Sequence, residues 1–277
     1  MDSSLPLEDV SPRPIEVPTS LRIENLAPET LQLIMMNSAI TELVVVEDGK
    51  YEFLRDREPI TIDHVVSLRF AEANYNKWNF ERIVSYFPNL RRLSWNRPYS
   101  QDGYENFSDL GTILNEYGTQ LEYLELSDET ERVFEVPIGS LAGMSNLKHL
   151  VTDLHLLTGY LPPPFPDWAD LELDEPPYME EPPDEDRLEG WSLEDILPFS
   201  LETLEITMWD GYFIAYYLPY ENFCGKVSRL VCNPRFSQLK RIVAPKMKQV
   251  AATLQMFKLG DGRWTYCPTE KCLIRRE

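Results

Sequence analysis

The stretch L-E-Y-L-E-L, Leu121–Leu126, carries leucine at its first, fourth and sixth places. The fourth and sixth alternate with polar neighbours, as on a short strand with one buried face. The first is the residue that turns into the strand and packs beneath it. Working outward, the pattern recurs at Ile40/Leu43/Val45, Val65/Leu68/Phe70, Leu90/Leu93/Trp95, Leu147/Leu150 with a polar Thr152, Leu201/Leu204/Ile206 and Leu239/Ile242/Ala244. A degenerate first copy is Pro18/Leu21/Ile23. Successive copies start 22, 25, 25, 31, 26, 54 and 38 residues apart. The 54-residue interval contains a 34-residue acidic block, and 20 residues remain without it.

A period of about 20–29 residues with this core is the signature of leucine-rich repeats. One such unit cannot bury its own apolar side, whereas stacked units shelter one another. The fold expected is therefore α/β: a leucine-rich-repeat solenoid, or horseshoe, with a parallel sheet on the concave side and helices on the convex side. Connecting segments supply the helices. Asn79–Phe87 sets Phe80, Ile83, Val84 and Phe87 at helical spacing before Pro88 stops it. Ser108–Gly118 repeats this with Leu110, Ile113, Leu114 and Tyr117, Ser108 as N-cap and Gly118 as C-terminal cap. Ala27–Met36 is a further candidate, and Met247, Val250, Ala251, Leu254 and Phe257 make a last helix ending near Gly260.

The organisation read from the chain is a loose tail over residues 1–16, with Pro6, Pro12 and Pro14, then one repeat domain over 17–277. A proline-rich acidic insertion interrupts it at 162–195, where 13 acidic residues face one basic residue, Arg187. Proline and like-charge repulsion both oppose regular structure there. Two readings stand for it: a solvated loop, or a recognition segment whose anchors Phe165, Trp168 and Tyr178 dock on a basic partner or fold back over the concave face.

Net charge is −20 over 277 residues, the reverse of the basic footprint that nucleic acid requires. No apolar run is long enough to span a membrane, and the N-terminus lacks a signal-peptide pattern. Four cysteines without an export signal read as reduced thiols in the cytoplasm or nucleus. Cys224 and Cys232 share an amphipathic stretch with Phe223, Val227, Leu230 and Val231, which favours buried structural thiols over a zinc site with Cys267 and Cys272. Gly-rich phosphate loops, nucleophile elbows and zinc-protease motifs are missing. His64, His149 and His155 fall in separate repeats. The expectation is a protein that is not an enzyme and takes no cofactor or metal. Trp95 takes an inward place, and Trp209, Tyr212, Phe213, Tyr216 and Tyr217 read mainly as core.

If places four and six point inward, the intervening places point outward. The partner-binding face then presents Glu42, Val44, Ser67, Arg69, Arg92, Ser94, Asn96, Tyr123, Glu125, Ser127, His149, Val151, Asp153, Thr203, Glu205, Thr207, Arg241 and Val243. Arginines gather on the N-terminal side and acids on the C-terminal side. Such a mixture suits a polypeptide.

F-P-N-L-R-R-L-S-W (Phe87–Trp95), L-E-Y-L-E-L (Leu121–Leu126) and L-P-F-S-L-E-T-L-E-I (Leu197–Ile206) resemble the repeats of fungal F-box/leucine-rich-repeat proteins. The likeness runs from about residue 18 to 245 and rests on repeat style. It implies the substrate-recognition solenoid of a cullin-type ubiquitin ligase. Leu5-Pro6-Leu7-Glu8 resembles an F-box opening, but Pro12, Pro14 and Pro18 forbid the helices that should follow, so the F-box itself is expected to be lacking. The partner expected is a protein, with ubiquitin-ligase components among the candidates, and the chain is expected to be a monomer outside complexes. The alternatives are a scaffold or structural repeat protein unconnected to ubiquitin, or an enzyme with an unfamiliar site.

Overall fold

Each short alternating segment becomes a strand, and the strands lie side by side in chain order. The computed structural model describes residues 19–24, 26–46, 60–71, 77–97, 110–128, 137–158, 192–207, 220–244, 248, 250–251 and 264–275. Among the described residues ten strands form one sheet: β1 Ser20–Ile23, β2 Glu42–Val46, β3 Ser67–Ala71, β4 Arg92–Arg97, β5 Tyr123–Asp128, β6 His149–Thr152, β7 Thr203–Ile206, β8 Arg241–Val243, β9 Trp264–Cys267 and β10 Cys272–Arg275. β1 to β8 pair in sequence order, each parallel to the next, and β10 then β9 close the sheet antiparallel.

The register aligns the repeats place for place. Leu21, Leu43, Leu68, Leu93, Leu124, Leu150, Leu204, Ile242 and Leu273 form one lateral row. Ile23, Val45, Phe70, Trp95, Leu126, Thr152 and Ile206 form the second. Apart from the partly buried Leu21 and Ile23, both rows are buried, Trp95 at 3% exposure. The Trp95 ring stacks on Phe80 at 4.7 Å and meets Phe70 edge-on at 6.2 Å.

The backbone repeats as faithfully. The carbonyl just before each strand accepts two N–H groups from the next repeat: Thr41 O from Val66 and Ser67, Val66 O from Arg91 and Arg92, Arg91 O from Glu122 and Tyr123, Glu122 O from Lys148 and His149, and Lys148 O from Glu202 and Thr203. The first apolar place follows a tight turn, since the amides of Leu90, Leu121, Leu147, Leu201 and Leu239 donate to the carbonyls of Phe87, Gly118, Met144, Pro198 and Phe236. Side chains tie successive repeats as well. Asn89 Nδ2 donates to Asp63 O and Asn146 Nδ2 to Thr119 O, each at 2.8 Å, and Ser200 Oγ donates to Leu147 O at 2.8 Å.

Helices cover the apolar side: α1 Pro28–Met36, α2 Lys77–Ser85, α3 Leu110–Tyr117, α4 Leu154–Thr158, α5 Leu193–Ile196 and α6 Tyr220–Cys232. Their buried residues, among them Leu31, Phe80, Ile113, Leu157, Ile196 and Val227, join the strand rows in one core. Proline opens α1 at the position where a missing N–H costs nothing. α2 ends before Phe87 because the amides of Tyr86 and Phe87 bond three residues back, tightening the last turn ahead of Pro88.

Several expectations need correction. Gly118 does follow the end of α3, its amide donating to Leu114 O, but without a left-handed backbone, because among the described glycines only Gly139 has positive φ. Its place excludes a side chain for steric reasons, as a Cβ there would lie 2.6 Å from Leu114 O. The insertion does not reach Asp195: α5 begins at Leu193, and Leu193 and Ile196 are fully buried. Cys232 is exposed while Cys224 is buried, since eight residues along a helix carry a side chain about 80° around the axis. The C-terminal hairpin β9–β10 was not foreseen. Lys248, Val250 and Ala251 of the last expected helix are helical. The tail, Ser108, the remainder of that last helix, most of the insertion with Phe165, Trp168 and Tyr178, and the Trp209–Tyr217 aromatics lie outside the described residues.

Candidate functional site: the open face of the sheet

Among the described residues, alternation leaves one sheet face without helices, and its residues align in two lateral rows. One runs Ser20, Glu42, Ser67, Arg92, Tyr123, His149, Thr203, Arg241 and Ile274. The other runs Arg22, Val44, Arg69, Ser94, Glu125, Val151, Glu205, Val243 and Cys272. Arg22, Glu42, Arg69, Arg92 and His149 are exposed. Ser67, Ser94, Asn96, Tyr123, Glu125, Thr203, Glu205 and Arg241 are half-buried on the same face.

The middle of the face is organised by hydrogen bonds between neighbouring strands. The Arg92 guanidinium lies over the Tyr123 ring, 4.7 Å from its centroid, a geometry in which the cation is drawn to the ring's negative face. Tyr123 Oη donates to Glu125 Oε2 at 3.2 Å, and Ser94 Oγ donates to the same oxygen at 2.7 Å. Ser127 Oγ donates to Asn96 Oδ1 at 3.0 Å. Burial raises the Tyr123 hydroxyl above its ordinary pKa, and the Glu125 charge and hydrogen bond push the same way against the lowering effect of Arg92. Arg92, Tyr123, Ser94 and Glu125 are thus a pre-arranged cluster over β4 and β5. Such rigid aromatic and arginine groups serve as anchors in protein interfaces.

At the C-terminal end, Arg241 Nε lies 3.4 Å from Glu270 Oε2. That contact is an ion pair without hydrogen-bond geometry, because Nε itself is buried and has no hydrogen-bond partner. The Arg241 pKa is raised by its neighbours Cys272, Glu270 and Glu205, Cys272 foremost, against the opposing effect of burial.

Asp153 is the one predicted face residue that is fully buried. It is 1% exposed and accepts a hydrogen bond from Thr207 Oγ1 at 2.5 Å. It lies between the end of β6 at Thr152 and the start of α4 at Leu154. His149 and His155 prove to share one repeat, on β6 and α4, while His64 lies apart from them, its Nε2 3.2 Å from Ile34 O and away from the open face. No group of three or more histidine, cysteine or acidic side chains suited to a metal occurs among the described residues. Among those residues no helix is long and apolar enough to cross a membrane.

Beside this face runs a feature that sequence reasoning missed. The second place of successive repeats reads Arg91, Glu122, Lys148, Glu202, Lys240, alternating in sign. Glu122 pairs with Arg91 at 3.6 Å and with Lys148 at 3.4 Å, and Lys240 Nζ donates to Glu202 at 2.6 Å. The Lys240 hydrogen bond leads the causes that hold the Glu202 carboxyl below its ordinary pKa. Exposed pairs contribute little individually, but the order matches each repeat to its neighbour. The signal was visible in the second place of the five copies from Leu90 onward, the earlier copies carrying Thr19, Thr41 and Val66 there.

Comparison with family models, with curated proteins and with solved structures returns no match.

Proposed function

We propose that the chain is a leucine-rich-repeat horseshoe whose open, concave face binds a polypeptide without catalysing a reaction, in the manner of the substrate-recognition repeats of F-box ubiquitin-ligase subunits. The observation that carries this reading is the pair of in-register rows crossing β1 to β8, one polar and one mixing valines with charged and polar residues, opposite a continuous apolar core. Exposed Arg69 and Arg92 and the Tyr123–Glu125 cluster give that face a fixed pattern of charge and aromatic surface. The resemblance of the repeats favours the ligase connection over a plain scaffold. In this reading the protein is a monomer until it binds and works in the cytoplasm or nucleus, taking neither cofactor nor nucleic acid.

Proximity labelling in the native cell tests it, with the wild type compared against Arg69→Glu plus Arg92→Glu at matched thermal stability. Specific partners should lose labelling by about tenfold or more, since like charges brought together across an interface cost several kcal/mol. Undiminished labelling refutes recognition through this face. Recovery of partners without any ligase adaptor removes the ubiquitin connection and leaves the binding role.

A further inference from the structure

Two thiols face each other where the sheet ends. Cys267 on β9 and Cys272 on β10 are direct cross-strand partners. Residues so opposed project to the same face with Cα atoms about 4.5–5.5 Å apart, within the span of about 4.4–6.8 Å that a disulfide bridges. The hairpin closes through Pro268–Lys271, and Lys271 takes φ 52° to complete the turn. Both cysteines are free. Cys267 is half-buried and can meet a small reagent, while Cys272 is fully buried beside it. The Cys272 thiol donates to Glu270 Oε2 at 3.8 Å, and Arg241, ion-paired with that carboxylate, borders the same thiol.

We propose that Cys267 and Cys272 are a modification site, a dithiol that closes to an intramolecular disulfide by exchange with glutathione disulfide and so staples the terminal hairpin. The Cys267 thiolate attacks one sulfur of glutathione disulfide, forming a mixed disulfide and releasing one glutathione thiolate. The Cys272 thiolate then attacks the Cys267 sulfur, and the second glutathione leaves. The two cysteine protons end on the two glutathiones. The cysteine pair loses two electrons, and glutathione disulfide gains them. β10 lies between β8 and β9, so the staple ties the last two strands of the sheet together at their turn. This site stands apart from the polypeptide-binding reading and survives its failure.

The test treats the full chain with glutathione disulfide, blocks residual thiols by alkylation and digests with trypsin. Cleavage after Arg263, Lys271 and Arg275 puts the two cysteines on separate peptides, 264–271 and 272–275, which only a disulfide keeps joined. The joined pair should be the dominant product, and Cys232→Ser should leave it unchanged while Cys267→Ser abolishes it. Closure should be about tenfold faster in the folded chain than in urea, because the fold holds the sulfurs in position. Amide exchange across β9 and β10 should slow by about tenfold after closure. Recovery of both thiols in alkylated form would overturn the proposal. So would a persistent glutathione adduct on Cys267, or closure no faster in the folded chain than in urea.

Discussion

Replacing Thr152 by valine should stabilise the protein, a direction few single substitutions take. Thr152 fills the inward row between Leu126 and Ile206 and is 0% exposed. Its Oγ1 is buried with no hydrogen-bond partner. A buried unpaired hydroxyl costs about 1–3 kcal/mol. Valine exchanges that hydroxyl for a methyl of similar size and keeps the branched shape, so it opens no cavity. Fitting a slightly larger group into a packed wall returns the upper part of that gain. The net expectation is about 1–2 kcal/mol of added stability. At about 2–4 °C per kcal/mol for chains of this size, Tm should rise by about 2–8 °C. Urea unfolding is the better assay, with the midpoint moving up at unchanged slope. Thr152→Ser, which keeps the hydroxyl and loses the methyl, should move the midpoint down. A valine variant of equal or lower midpoint at the same slope would refute the reasoning. It would mean that the hydroxyl is hydrogen-bonded in the native state and that the wall between these repeats is not dry.

Gly111→Ala should destabilise by about 1–3 kcal/mol, as overpacking does. A Cβ there would lie 2.8 Å from both Ile138 O and Ser140 O and 2.9 Å from Gly139 C, all backbone of the following repeat; a urea midpoint equal to wild type would show that the two segments separate freely. Glu202→Gln tests the charge ladder through pH. Lys240 holds the Glu202 carboxyl below its ordinary pKa in the folded chain, so its contribution is present above the unfolded-state pKa and is lost as pH falls through the depressed folded value. The stability gap between wild type and Glu202→Gln should therefore be present at neutral pH and vanish in acid, measured as urea midpoints across the range; a gap that widens in acid contradicts the assignment.

Much of this protein was legible in its sequence because the relevant rule is local. The alternation in L-E-Y-L-E-L sends Leu124 and Leu126 inward and Tyr123 and Glu125 outward whatever lies elsewhere in the chain, and the same holds for Leu93, Trp95, Arg92 and Ser94. Repetition of the pattern then demanded that the units stack, since none buries its apolar side alone, and even the weak copy at Leu21 and Ile23 pairs as expected. The tertiary structure decided what depends on where strands stop and on which residues meet across repeats. Asp153 lies one residue past the end of β6 and is buried against a bond from Thr207 of the next repeat, although period-two counting expects it on the exposed face. Ser192–Asp195 share the acidic composition of the insertion, yet the burial of Leu193 and Ile196 sets them as a helical turn against the core. The Arg91–Glu122–Lys148 ladder and the opposed Cys267 and Cys272 exist only through strand register. Register is set by hydrogen bonds and burial between segments, and those energies are not properties of either segment alone.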